Sequence, residues 1–436
     1  MTETTSSQAP ARSEARRWAA VVICWLLIVM DGYDLIVYGA VQNSLIETTD
    51  WGLTPASAGT LGSLAFLGMM IGAVVAGRLA DAIGRRRTIL LCVIVFGVAT
   101  VACALAPNPG VFGALRLIAG LGLGGLVPSA NALTAELVPP RWRGSMATLM
   151  MSGVPIGGTI AALTGLWLIP AFGWPAMFWI TAVSFILLAV AWKVLPETGA
   201  PRAASGSDPG QADVEAGDRG APRTGFSTIL STPWLSFSIL FALTTLFTLF
   251  AWYGLGTQLP KIMRDSGADL GPALAFTIAL NLGAVVGSVL TAWAGDRFGI
   301  LPTATVAAAV AGIALVALMS GTTATLAIYV ALVLAGIGTH GTQSLIVGAI
   351  ASHYPAHLRG TALGWALGVG RIGAVLAPQV SGILLGINGV DPSMSFLLFG
   401  GAALASALVL ATLTVLSRRR RRAVDGEQAA TEPVAP

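Results

Sequence analysis

Asp31 and Asp34 stand three residues apart in the middle of a long apolar run, with Gly32 and Tyr33 between them. At that spacing two residues of a helix share one face. Two carboxylates so close in a dry setting do not both ionise readily, because desolvation and mutual repulsion disfavour the second charge. Such a pair can take up and release a proton. Two arginines, Arg116 and Arg371, also lie inside apolar runs. Arginine keeps its charge and meets a carboxylate with two parallel donors. Asp31, Asp34 and Arg116 therefore form a candidate proton-coupling set, with a static aspartate–arginine pair holding two helices together as the competing explanation. Arg371 is a candidate carboxylate binder, or a structural partner for a backbone carbonyl.

Other polar and aromatic groups in apolar runs extend this chemistry. His340, Gln343 and Asn281 offer hydrogen bonds, and Tyr33, Trp252 and Tyr253 offer flat faces. Together they suit a flat ring bearing one carboxylate. His340 can also be a hydrogen-bonded packing residue, and the aromatics can belong to the belts at a membrane surface. No CxxC, HExxH, GxSxG or GxxxxGK[ST] pattern occurs, and Cys24, Cys92 and Cys103 all sit in apolar runs. No spacing of His, Cys and acid suits a metal, so neither a metal site, a cofactor nor an enzymatic nucleophile is expected.

The elements that hold these residues follow from composition. Of 436 residues, 55% are hydrophobic and 10% charged, where a soluble domain carries roughly 25% charged. A chain with so few charges belongs in lipid. Twelve runs near 18–42, 57–80, 88–106, 110–137, 144–171, 175–195, 234–258, 270–294, 301–320, 324–351, 361–386 and 394–416 are long enough to cross a bilayer as helices. The stretch 196–230 is polar and rich in Pro and Gly, and reads as a linker between two sets of six spans. The expected organisation is a tail over 1–17, a bundle over 18–195, the linker 196–230, a bundle over 231–416 and a tail over 417–436. With the N-terminus in the cytoplasm, 20 of the 24 Lys and Arg residues face inward and only Lys261 and Arg264 face outward. Both termini are thus expected in the cytoplasm. The scattered positive charge offers no basic face for nucleic acid. The Arg418–Arg422 run reads as a stop signal that meets anionic lipid. At 1.5 Å per residue, Asp31 and Asp34 lie about 20 and 24 Å from the inner end of their span, and Arg116 about 9 Å from the outer end of its own. These depths are similar.

The halves repeat. Asp81-Ala-Ile-Gly84 after the second span matches Asp296-Arg-Phe-Gly299 after the eighth, 215 residues on. Arg143-Gly144 after the fourth span matches Arg359-Gly360 after the tenth, 216 residues on. Asp81, Arg85, Arg86, Glu136, Arg143, Asp296 and Arg359 therefore read as a set of cytoplasmic-face groups that lock a conformation, with Glu136 expected beside Arg141 and Arg143. Arg371 has Pro155 as its repeat counterpart, so a duplicated scaffold does not require it.

Gly77-Arg-Leu-Ala-Asp81-Ala-Ile-Gly84-Arg-Arg-Arg87 resembles the signature loop of the major facilitator superfamily. The twelve spans, the long central loop and Pro196-Glu197-Thr198-Gly199 agree with it over essentially the whole chain. The resemblance implies an all-α membrane fold of twelve helices in two pseudo-symmetric six-helix halves. It also implies a path lined by the first, fourth, seventh and tenth helices. Asp31-Gly32-Tyr33-Asp34 and the run Arg116-Leu-Ile-Ala-Gly-Leu-Gly-Leu-Gly-Gly are similar to the aromatic acid:proton symporter family. That narrower resemblance implies import of benzoate-, hydroxybenzoate- or gentisate-type carboxylates with protons across a bacterial inner membrane, by a chain working as a monomer. Another substrate in the same fold (an aliphatic acid, a sugar or a drug) is the first alternative. A membrane-embedded enzyme or receptor is a distant one.

Overall fold

In lipid every backbone N–H and C=O must find its partner within the protein, so long apolar runs become helices. The structure, a computed structural model, describes residues 8–139, 142–197, 226–232, 234–320 and 324–431. Its long helices are α1 (Gln8–Thr48), α2 (Pro55–Ile83), α3 (Arg85–Cys103), α4 (Pro109–Leu137), α5 (Arg143–Phe172) and α6 (Pro175–Val194, with a 3-10 turn at Ile180–Ala182). After a short turn, Phe226–Ile229, come α7 (Leu235–Asp265), α8 (Leu270–Phe298), α9 (Ile300–Leu318), α10 (Thr325–His353), α11 (Ala356–Leu385) and α12 (Met394–Thr431). All twelve are long and apolar enough to cross a membrane. Two outrun their expected limits by ten residues or more at one end. α1 starts at Gln8, ahead of its apolar core, and α12 carries helical backbone through the Arg418–Arg422 run. Arginine and alanine are good helix formers, so a polar extension continues an existing helix at little cost. Most of the linker, 198–225, lies outside the described residues.

Local chemistry sets the helix ends. Thr54 caps α2 in a reciprocal capping box with Ser57. Asn108 caps α4 by accepting from the Val111 N–H at 2.9 Å, with Pro109 at the first helical position. The D-x-x-G motifs end in Gly84 and Gly299, with φ of 92° and 94°. These left-handed turns separate α2 from α3 and α8 from α9, and a side chain there would be strained.

The chain forms two compact units. Unit 1 comprises Met1–Thr224, Gly254–Leu282 and Val375–Pro392; unit 2 comprises Gly225–Tyr253, Gly283–Ala374 and Ser393–Pro436. Within unit 1, glycines let backbones meet. Gly68 and Gly72 of α2 lie against the backbone of Leu117 and Leu121 on α4, and Gly120 and Gly124 of α4 lie against Ala65 and Met69. Gly32 of α1 rests on Val154 of α5, and Gly157 of α5 rests on Val29. Small residues of this kind are the usual means of close helix packing where lipid gives no hydrophobic drive. Unit 2 repeats the pattern: Gly283 and Gly287 of α8 meet Val333 and Ile337 of α10, and Gly373 of α11 meets Leu246 of α7. The contacting positions are 215 to 217 residues from their unit 1 counterparts, so the sequence repeat is also a repeat of contacts.

A Cβ at Gly72 would overlap the Leu121 backbone, whereas one at Gly77 would meet nothing within 4 Å. Gly72→Val is expected to cost about 1–3 kcal/mol or more, seen as a lower unfolding temperature of detergent-purified protein. Gly77→Ala, on the same helix, should leave that temperature unchanged. Equal behaviour of the two variants would count against backbone contact as the basis of the α2–α4 packing.

Candidate functional site

The charged groups of unit 1 converge on α1. Arg116 of α4 donates from Nη1 to Asp34 Oδ2 at 2.9 Å and from Nη2 to the Asp34 backbone oxygen at 3.1 Å. Thr100 of α3 donates its hydroxyl to Asp34 Oδ1 at 2.7 Å. Asp34, Thr100 and Arg116 are all buried. The Arg116 guanidinium lies 5.9 Å from the centroid of the Tyr38 ring, whose hydroxyl donates to Ala58 O. Asp31 is buried one turn earlier on α1. Sequence left open which aspartate takes Arg116, and the hydrogen bonds go to Asp34. Thr100 was not anticipated, because a threonine in an apolar span carries no signal of its own.

Tyr33 faces the interior of unit 1. It is buried in a cluster with Val37, Phe112 and Phe178, and its hydroxyl donates to Met177 O at 2.8 Å. Asn281 of α8 is buried, spends one N–H on the Thr277 carbonyl at 2.8 Å, and has no hydrogen-bond partner at Oδ1.

Unit 2 gathers the remaining candidates. The Trp252 and His340 rings lie 4.8 Å apart, centroid to centroid, and both side chains are buried. Next along α7, Tyr253 carries the Arg371 guanidinium 6.0 Å from its ring centroid. The glycines flanking Arg371 explain its reach: Gly370 packs on Thr245 and Gly373 on Leu246, drawing α11 onto α7. Gln343, one turn after His340 on α10, is buried with no hydrogen-bond partner at Oε1.

The repeat register places Thr248, Ala251 and Leu332 where unit 1 has Asp31, Asp34 and Arg116. All three are buried, and Thr248 is hydrogen bonded to Ser406 at 2.8 Å. The repeat positions are thus buried without charge, so a duplicated scaffold does not require the charged trio.

Among the described loop groups, Arg85 Nε meets Glu136 Oε1 at 2.7 Å. Arg86 and Arg87 approach Glu197 at 3.9 and 4.0 Å, and Arg86 also donates to the Trp192 carbonyl. Half-exposed pairs like these contribute little stability, which leaves them easy to break and remake. Asp81 is exposed and pairs with none of the described residues; Asp296 is exposed too. Arg359 donates to the Tyr354 carbonyl at 2.9 Å. Burial pushes the Tyr354 phenol up, and its hydroxyl lies 2.8 Å from that of Ser238. The side chain of Arg143 lies outside the described residues, as does Arg141.

Comparison with known proteins bears on this arrangement. The chain is 53% identical over 408 residues to a gentisate transporter of Corynebacterium glutamicum, covering 92% of this chain and 89% of the relative. It is 31% identical to a benzoate transport protein of Acinetobacter baylyi, covering 96% and 92%. The crystal structure of a D-xylose-proton symporter matches with a TM-score of 0.74 at 17% identity, over 90% of this chain and 97% of that one; at that identity the likeness speaks for the fold alone. The model of the Major Facilitator Superfamily matches residues 24–378 and 241–436. With twelve membrane-length helices and family matches spanning nearly all of its sequence, the chain belongs to the Major Facilitator Superfamily.

Proposed function

We propose that this chain imports single-ring aromatic carboxylates of the benzoate, hydroxybenzoate or gentisate type, together with protons, across a bacterial inner membrane. The observation that carries the substrate class is the 53% identity to a gentisate transporter along nearly the whole length of both chains. Arg371, its guanidinium 6.0 Å from the Tyr253 ring centroid, is suited to hold the substrate carboxylate, which favours an anion over a sugar. Trp252 and His340, tilted to one another, each offer an aromatic face to the ring, and Gln343 has an acceptor oxygen for a ring hydroxyl. Asn281 and Tyr33 are weaker candidates, since Tyr33 already spends its hydroxyl on Met177.

Proton coupling falls to Asp31, Asp34 and Arg116. A carboxylate in lipid is expensive unless paired or protonated, so loading a proton with an anionic substrate lowers the charge that must cross. The proton gradient supplies the driving force, with no cofactor. Asp81, Arg85, Arg86, Glu136, Arg143, Asp296 and Arg359 act as gating groups at the cytoplasmic face. Cytoplasmic placement of both termini is supported by the distribution of Lys and Arg, and a single copy suffices for transport.

The test is uptake into proteoliposomes with an imposed pH gradient, using labelled benzoate, 4-hydroxybenzoate, gentisate and protocatechuate beside xylose and an aliphatic dicarboxylate. Accumulation of the aromatic acids alone, collapsing when the gradient is dissipated, is the expected result. Uptake of xylose or the dicarboxylate in place of the ring acids would overturn the substrate assignment. Uptake indifferent to the gradient would overturn the coupling.

A further inference from the structure

We propose that Thr100 is a positioning residue of the Asp34–Arg116 pair, a hydroxyl that serves Asp34 both with and without its proton. This rests on the reading of that pair as proton-coupled. Several buried threonines of the spans turn back on their own helices: Thr245 donates to Phe241 O, Thr277 to Ala273 O, Thr291 to Gly287 O and Thr339 to Ala335 O, while Thr248 and Thr342 reach uncharged partners, Ser406 and Ala304 O, on neighbouring helices. The carbonyl four residues back is the nearest acceptor in an apolar span, so this is the resting choice. Thr100 forgoes it and reaches across to Asp34 Oδ1.

A hydroxyl both donates and accepts, while a guanidinium only donates. With Asp34 as carboxylate, Thr100 donates to Oδ1 and Arg116 to Oδ2. When a proton binds Oδ1, the new O–H donates to Thr100 Oγ1. The Thr100 O–H then rotates to the Phe96 carbonyl four residues back. No buried group on this side is orphaned in either state, and an orphan is what makes such a step costly. The other charged or titratable groups around the pair are Asp31, Tyr33 and Tyr38 on α1 and Cys103 one turn along α3; Tyr33 and Tyr38 donate their hydroxyls elsewhere, to Met177 O and Ala58 O.

The experiment compares Thr100→Val with Thr100→Ser in proteoliposomes, reading labelled gentisate or benzoate accumulation under an imposed pH gradient beside counterflow at equal pH. Thr100→Ala runs in parallel in case valine disturbs insertion. Loss of the hydroxyl is expected to lower gradient-driven accumulation about tenfold, to move the pH of half-maximal accumulation, and to leave counterflow within about twofold. Serine should restore all three. A wild-type ratio of driven uptake to counterflow and a wild-type pH midpoint in both the valine and alanine variants would overturn the role of Thr100 alone. So would parallel loss of both activities that serine fails to rescue. Absence of any gradient dependence in the unsubstituted protein would overturn the coupling assignment and this proposal with it.

Discussion

Asp34→Asn is expected to lower the stability of the purified protein by about 3–5 kcal/mol, and the double variant Asp34→Asn with Arg116→Met to recover most of that loss. The reason is the burial of both partners, at 0% and 1% exposure. Neutralising the carboxylate leaves a guanidinium in the low-dielectric interior with no countercharge bonded to it, while removing both charges removes the penalty. The repeat positions in unit 2, Leu332 and Ala251, are buried and apolar. Unfolding of detergent-purified protein measures the effect. A single variant as stable as wild type, or a double variant no better than the single, would mean that Arg116 is not held by Asp34. Transport separates the two aspartates further. Asp31→Asn leaves the ion pair in place, so the protein should fold normally, lose gradient-driven accumulation and retain counterflow.

Arg371→Lys is expected to raise the KM of uptake about tenfold or more, equivalent to about 1.4 kcal/mol. Lysine keeps the charge but loses the planar two-pronged donor and the stacking surface that faces Tyr253 at 6.0 Å. Tyr253→Phe keeps a ring beneath the guanidinium and should change KM much less. Initial rates across substrate concentration, beside equilibrium binding in detergent, distinguish a weaker binding site from slower turnover. A lysine variant with a KM within about twofold of wild type would rule out a two-pronged carboxylate clamp at this position.

What the sequence determined by itself is what lipid makes visible in one dimension. Twelve runs are readable because a spanning helix needs about 20 apolar residues. Asp31, Asp34, Arg116 and Arg371 stand out because a charge in such a run is costly enough to need a reason. The repeat was readable because D-x-x-G needs a left-handed glycine at Gly84 and again at Gly299. Tertiary structure alone decided who meets whom. It gave Arg116 to Asp34, set Thr100 on the other carboxylate oxygen, paired Glu136 with Arg85, and put Trp252 against His340. Those pairings depend on how far each helix is rotated and how closely it approaches its neighbour. Contacts such as Gly32 on Val154 and Gly373 on Leu246 fix both quantities. A shift of one residue in such a contact turns a side chain by about 100° around its helix, so no spacing along a single span could have specified them.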